Sequence, residues 1–243
     1  MNNKLIIALD VETADEARRL FSLLRAEAGM FKIGSQLFTA AGPQLVRDIV
    51  AGGGRVFLDL KFHDIPNTVA AACREAVRLG VSIFNVHAAG GGEMMRRALE
   101  ATGETAEREG LPRPALIAVT VLTSADAGVL AETGVGGCAL EEQVLRLAKL
   151  TASCGLDGVV ASPHEIAPVR SAVERESFLL VTPGVRPSAS AHDDQRRVMT
   201  PAGAVRAGAD YIVVGRAILN APDSLRAAHE IVAEMELAAG EPG

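Results

Sequence analysis

The sequence predicts an α/β protein, a closed (β/α)8 or TIM barrel, on three observations. Short apolar runs recur from end to end, and each is followed by a polar or glycine-rich turn and then an amphipathic stretch. Several of the runs are apolar on both alternations, as parallel strands covered on both faces must be. Eight such runs alternate with eight helical stretches, which favours closure over the competing open, doubly wound sheet. No linker-like shift in composition divides the 243 residues, so residues 1–243 are expected to form a single barrel domain.

The runs cover residues 5–9, 30–34, 55–60, 82–86, 115–122, 158–161, 178–181 and 211–214. After the first, Ala17, Leu20, Phe21 and Leu24 repeat at helical spacing, and Thr13 supplies a start signal. Val69, Ala72, Cys73 and Ala76 do the same after the third. Gly90, Gly91 and Gly92 lack the following Lys-Ser/Thr of a phosphate loop, so they are expected to open the fourth helix. Leu140, Val144, Leu147 and Ala148 form the next stripe. Thr200-Pro201 starts the seventh helix, and Leu225, Ala228, Ile231, Val232 and Met235 line the last.

Composition narrows the function. With 49% apolar and 22% charged residues the chain is an ordinary globular protein, long enough to bury roughly 70% of its unfolded surface. A net charge of −6, 3% aromatics and no Trp argue against a nucleic-acid partner. Cys73, Cys138 and Cys154 form no C-x-x-C pair and read as reduced thiols. No stretch approaches the ~18 apolar residues of a membrane span, and residues 5–9 are too short for a signal-peptide core. A cytoplasmic location with no membrane partner is expected.

The first three strands all end in charge. Asp10 closes the first, Lys32 lies in the second, and Asp59 and Lys61 end the third, two apart and so on one face; Leu58, Leu60 and Phe62 take the other. Neighbouring parallel strands lie ~4.8 Å apart, so Lys32 can reach the same cluster, with Asp64 following in the loop. Charges in so dry a place must pair or serve a ligand. Lysines flanked by carboxylates make better general acids and electrostatic stabilisers than Schiff-base nucleophiles. At the far end of the chain, Thr182-Pro183-Gly184-Val185-Arg186-Pro187 follows the seventh strand and Gly215-Arg216 follows the eighth, the usual phosphate end of a barrel. The polar stretch 188–197, with Ser188, Ser190 and Gln195, reads as a lid that orders over ligand.

Asp59-Leu60-Lys61-Phe62-His63-Asp64-Ile65-Pro66-Asn67-Thr68 closely resembles the signature of the orotidine 5′-phosphate decarboxylase family. Phe31-Lys32-Ile33-Gly34, Pro183-Gly184-Val185-Arg186 and Val213-Val214-Gly215-Arg216 match that family in the same order, so the resemblance runs from Asp10 to Arg216. The D-x-K-x-x-D core alone is shared with relatives that process sugar phosphates. The resemblance implies decarboxylation of orotidine 5′-phosphate to uridine 5′-phosphate, the last step of pyrimidine synthesis, with no cofactor and no metal. It makes Lys32, Asp59, Lys61 and Asp64 a charged tetrad with Lys61 as proton donor to C6. It also implies a homodimer in which Asp64, with Ile65 and Thr68, enters the neighbouring subunit's site. Asp10 and Lys32 would hold ribose hydroxyls, and Thr123 or Ser124 would lie by the pyrimidine. Arg186, Gln195, Gly215 and Arg216 would grip the phosphate, and Pro183 would line the substrate site.

Two other readings compete. A metal-assisted sugar-phosphate enzyme on the same barrel would recruit His63, Asp64 and His87, but two lysines beside the ion oppose it. A non-catalytic nucleotide sensor would have no reason to keep clustered buried charge.

Overall fold

Eight parallel strands close in chain order, β8 pairing back onto β1. They are β1 (Leu5–Ala8), β2 (Met30–Gly34), β3 (Val56–Phe62), β4 (Ile83–His87), β5 (Ala115–Val119), β6 (Gly158–Val160), β7 (Leu179–Pro183) and β8 (Tyr211–Val214). The structure is a computed structural model that describes residues 3–186 and 199–240. The predicted (β/α)8 barrel is therefore the observed one.

Local chemistry sets the helices. Thr13 accepts a hydrogen bond from the Glu16 backbone N–H at 3.2 Å and starts α1 (Ala14–Leu24), whose buried residues are the four predicted. Thr200 accepts from the Gly203 N–H at 3.0 Å ahead of α9 (Pro201–Arg206). Gly91 opens α5 (Gly91–Glu109), as expected of the glycine run. α4 (Pro66–Arg78) begins on a proline whose missing N–H costs nothing at a helix start.

The expected count of eight helices needs correction. Three units carry a second helix: α2 (Ser35–Ala41) with α3 (Pro43–Ala51), α6 (Ala127–Glu132) with α7 (Leu140–Ser153), and α10 (Arg216–Leu219) with α11 (Ser224–Gly240). Gly42, at φ +67, and Pro43 separate the first pair, a break that apolar periodicity does not register. α8 (Ile166–Ala172) completes the set among the described residues. Leu225 is 40% exposed rather than part of the buried stripe of α11.

Two apolar layers result. Ile6, Ala8, Met30, Phe57, Ile83, Ile117, Val181 and Val213 fill the inside of the barrel, and a larger set packs between strands and helices. Stepping two residues further along the inward face of β1 to β4 reaches Asp10, Lys32, Asp59 and Asn85. The interior turns polar at the carboxyl-terminal ends of these strands, where barrel chemistry gathers.

Candidate active site

The side chains predicted from the first three strand ends meet in a continuous chain of opposite charge. Lys32 Nζ lies 3.0 Å from Asp10 Oδ1 and 3.5 Å from Asp59 Oδ2, and Lys61 Nζ lies 2.6 Å from Asp59 Oδ1. Lys32 and Asp59 retain only 12% and 13% side-chain exposure, while Lys61 is one-third exposed and opens towards the cleft. Burial pushes the Asp59 carboxyl up, but the Lys32 and Lys61 charges and hydrogen bonds from Lys61 and Asn85 outweigh it. Asp59 therefore sits below the usual carboxylate range. Two glycines make the space: a Cβ on Gly34 would stand 3.1 Å from Lys32 Nζ, and one on Gly215 would stand 3.4 Å from Asp10 Oδ2.

Strand alternation was the reason to place Asp59 and Lys61 together, and the structure replaces part of it. Leu58, Leu60 and Phe62 do pack on the outer layer, as expected. The ladder with β4, however, pairs Leu58 with Phe84 and Phe62 with Val86, so Asp59, Leu60 and Lys61 stand opposite Asn85 alone. Lys61 takes φ +53 in this bulge, the one non-glycine positive φ among the described residues.

Asn85 was missed. Its side chain is fully buried, donates to Asp59 Oδ1 at 2.7 Å and accepts from the Lys61 backbone N–H at 2.8 Å. An amide within the otherwise apolar Ile83-Phe84-Asn85-Val86 run, on the inward alternation beside Asp59, was the available signal.

Two cavities share Lys32, Asp59 and Lys61 as a common wall. One, of about 250 Å³, is bordered by Asp10, Ser35 and Gln36 and is rich in hydrogen-bonding groups. The other, of about 170 Å³, is bordered by Val119, Val121, Leu122, Thr123, Pro183 and Val213 and is mostly apolar. Of the alternatives Thr123 and Ser124, Thr123 borders this cavity. The sequence gives no signal for Ser35 and Gln36, because a short polar start to a helix carries no distinctive spacing.

Other predicted residues are not among those that border these cavities. Asp64 is exposed and its carboxylate accepts from the Ile65 N–H at 2.6 Å; it forms no ion pair among the described residues. Ile65 is 67% exposed and Thr68 is also exposed. Arg186 is half-buried beyond β7, its backbone N–H donating to Met199 O at 3.1 Å. Gly215 and the exposed Arg216 lie at the end of β8. Gln195 and the predicted lid, residues 188–197, fall outside the described residues.

His63 and His87 stack with ring centroids 5.4 Å apart. Burial, then the neighbouring His63 and Lys61, push the His87 imidazole below its ordinary value. Among the described residues no group of three or more His, Cys, Asp or Glu converges as a metal site would. Cys73, Cys138 and Cys154 are free thiols, and no described helix is long and apolar enough to cross a membrane.

A closed parallel barrel with an alternating Asp–Lys array in its mouth, above adjoining polar and apolar cavities, defines the class: a (β/α)8 barrel built around a D-x-K-x-x-D strand end. The chain belongs to the orotidine 5′-phosphate decarboxylase / HUMPS family, whose model matches residues 3–231. It is 55% identical to the orotidine 5′-phosphate decarboxylase of Moorella thermoacetica over 236 residues, spanning 97% of this chain and 93% of that protein. It is 51% identical to that of Geotalea daltonii over 232 residues, 96% and 95% of the two chains. Among solved structures, the orotidine 5′-phosphate decarboxylase of Lactobacillus acidophilus superposes with a TM-score of 0.85 at 35% identity, covering 96% of this chain and 99% of that one.

Proposed function

We propose that this chain decarboxylates orotidine 5′-phosphate to uridine 5′-phosphate without cofactor or metal. The observation that carries the reading is the unbroken Asp10–Lys32–Asp59–Lys61 array forming the wall shared by both cavities. Its relatives from Moorella thermoacetica and Geotalea daltonii, both orotidine 5′-phosphate decarboxylases, agree with it.

Breaking the C6–carboxylate bond leaves an electron pair on C6 with no conjugated sink, so stabilisation must come from charge already in place. The Lys61 ammonium meets that pair and donates its proton to C6, carbon dioxide departs, and Lys61 regains a proton from solvent. Asp59 faces the departing carboxylate; at ~4 Å and an effective dielectric of ~20 their repulsion is about 4 kcal/mol, relieved as the bond breaks. The polar cavity suits ribose hydroxyls, received by Asp10 and Lys32, and the apolar one suits the planar base beside Thr123. Pro183 closes the apolar cavity, while Arg186, Gln195, Gly215 and Arg216 receive the phosphate.

The enzyme is proposed to act in the cytoplasm as a homodimer in which Asp64, with Ile65 and Thr68, completes the neighbour's site. Exposure of all three residues, and an Asp64 carboxylate that among the described residues accepts only from the adjacent Ile65 N–H, support this reading.

Adding orotidine 5′-phosphate and following ultraviolet absorbance with a chelator present tests the activity. Turnover is expected to survive. Absence of turnover with or without chelator rejects the decarboxylase, and loss only with chelator favours the metal-assisted reading.

The dimer has its own test. Lys61→Ala and Asp64→Ala homodimers are each expected to be nearly inactive. Mixed and exchanged, they should recover roughly a quarter of wild-type activity, because half the dimers then hold one complete site. No recovery despite demonstrated exchange would place both residues in the site of one subunit.

A further inference from the structure

Asn85 is a buried polar group beside the reacting pair for which the mechanism so far has no use. We propose that Asn85 is the positioning residue of the Asp59–Lys61 pair: it fixes the Asp59 carboxylate and the left-handed Lys61 backbone, so that the Lys61 ammonium is held at the cleft wall. The inference rests on the decarboxylase reading and deepens it.

Three residues of β3 stand opposite this one residue of β4. A bulge of that kind strips backbone groups of their ladder partners, and a buried N–H without a partner is costly. The Lys61 N–H finds the Asn85 side-chain oxygen instead, at 2.8 Å. Lys61 also holds φ +53, a conformation that persists in a non-glycine residue only where the surroundings over-determine it.

The other end of the same amide donates to Asp59 Oδ1 at 2.7 Å, the oxygen that Lys61 Nζ approaches at 2.6 Å. One side chain thus closes a ring through the Lys61 backbone, the Lys61 ammonium and the Asp59 carboxylate. With both bonds made, neither Asp59 nor Lys61 can turn without stranding a buried polar group. The charged and titratable groups around the amide are Asp59 and Lys61 on β3, Lys32 on β2 beyond Asp59, His87 on β4 and His63 in the loop after β3. A residue that merely filled space would tolerate leucine, which is close in volume.

Asn85→Leu and Asn85→Asp, assayed beside the wild type with orotidine 5′-phosphate and with uridine 5′-phosphate as a binding probe, test the proposal. Asn85→Leu is expected to lower kcat about a hundredfold, the usual cost of a misplaced reacting group. KM and uridine 5′-phosphate affinity should stay within about threefold, since only the reacting geometry is lost. Equal declines in kcat, affinity and melting temperature would show a structural role and overturn the proposal.

Asn85→Asp keeps the acceptor for the Lys61 N–H and becomes a donor to Asp59 only when protonated. Its kcat relative to wild type is therefore expected to rise as pH falls from about 8 to about 5, because two adjacent carboxylates share a proton more fully at lower pH. A flat ratio overturns the inference, and this variant decides it should Asn85→Leu fail to fold. A wild type inert towards orotidine 5′-phosphate removes the decarboxylase reading and this inference with it, whereas an active wild type matched by an active Asn85→Leu removes this inference alone.

Discussion

Lys61→Ala is expected to lower kcat for orotidine 5′-phosphate by about four to seven powers of ten, the largest effect of any single substitution in this chain. Two contributions vanish together. General-acid delivery of a proton is worth about 10²–10⁴ in rate. A preorganised charge facing a developing anion adds about 10²–10³. The protein should still fold, because Asp59 keeps Lys32 at 3.5 Å and the Asn85 amide at 2.7 Å after Lys61 is shortened. Uridine 5′-phosphate should bind within about tenfold of wild type, since Lys61 is assigned to the bond that breaks rather than to the ribose or phosphate. Single-turnover absorbance measurements and equilibrium binding separate the two quantities. A variant that keeps more than about a hundredth of wild-type kcat would remove Lys61 as the donor, since the acid contribution alone should exceed that.

The charged array was legible because it depends on local rules. Period two on a strand, ~4.8 Å between strands and charge at three successive strand ends bring Asp10, Lys32 and Asp59 together without tertiary detail, and place Lys61 near them, although its final position comes from the bulge. The same rules could not announce the bulge. Nothing in Asp59-Leu60-Lys61 marks a left-handed lysine, because the conformation is imposed by a partner amide 24 residues away. Asn85 escaped for a related reason: within β4 it is one polar residue in an apolar run, and its meaning lies in the neighbouring strand. The split helices failed on a different scale. Ser35–Ala41 and Pro43–Ala51 are divided by the Gly42 backbone and the proline that follows it, which apolar spacing does not register. Asp64, Ile65 and Thr68 lie beyond any single-chain rule, since their proposed use requires a second copy.

Removing the phosphate from the substrate is the second large effect expected. Arg186 and Arg216 stand beyond the ends of β7 and β8, and neither borders the cavities that meet at Lys61. Their contacts should therefore act on binding and closure rather than on C6. A hydrogen bond from an arginine to an anion is worth about 1.5–3 kcal/mol, so two arginines and nearby backbone donors can supply about 5–6 kcal/mol. At about 1.4 kcal/mol per factor of ten, orotidine without its phosphate should lose about four powers of ten in kcat/KM. A double comparison makes the assignment specific. Arg216→Ala should reduce kcat/KM about a hundredfold for the phosphorylated substrate and leave the truncated one nearly unchanged, because the contact it removes is already absent there. Equal losses with both substrates would mean that Arg216 supports the barrel mouth instead of the phosphate. A truncated substrate reacting within about tenfold of the intact one would show that remote anion binding contributes little, leaving the Asp–Lys array to carry the rate alone.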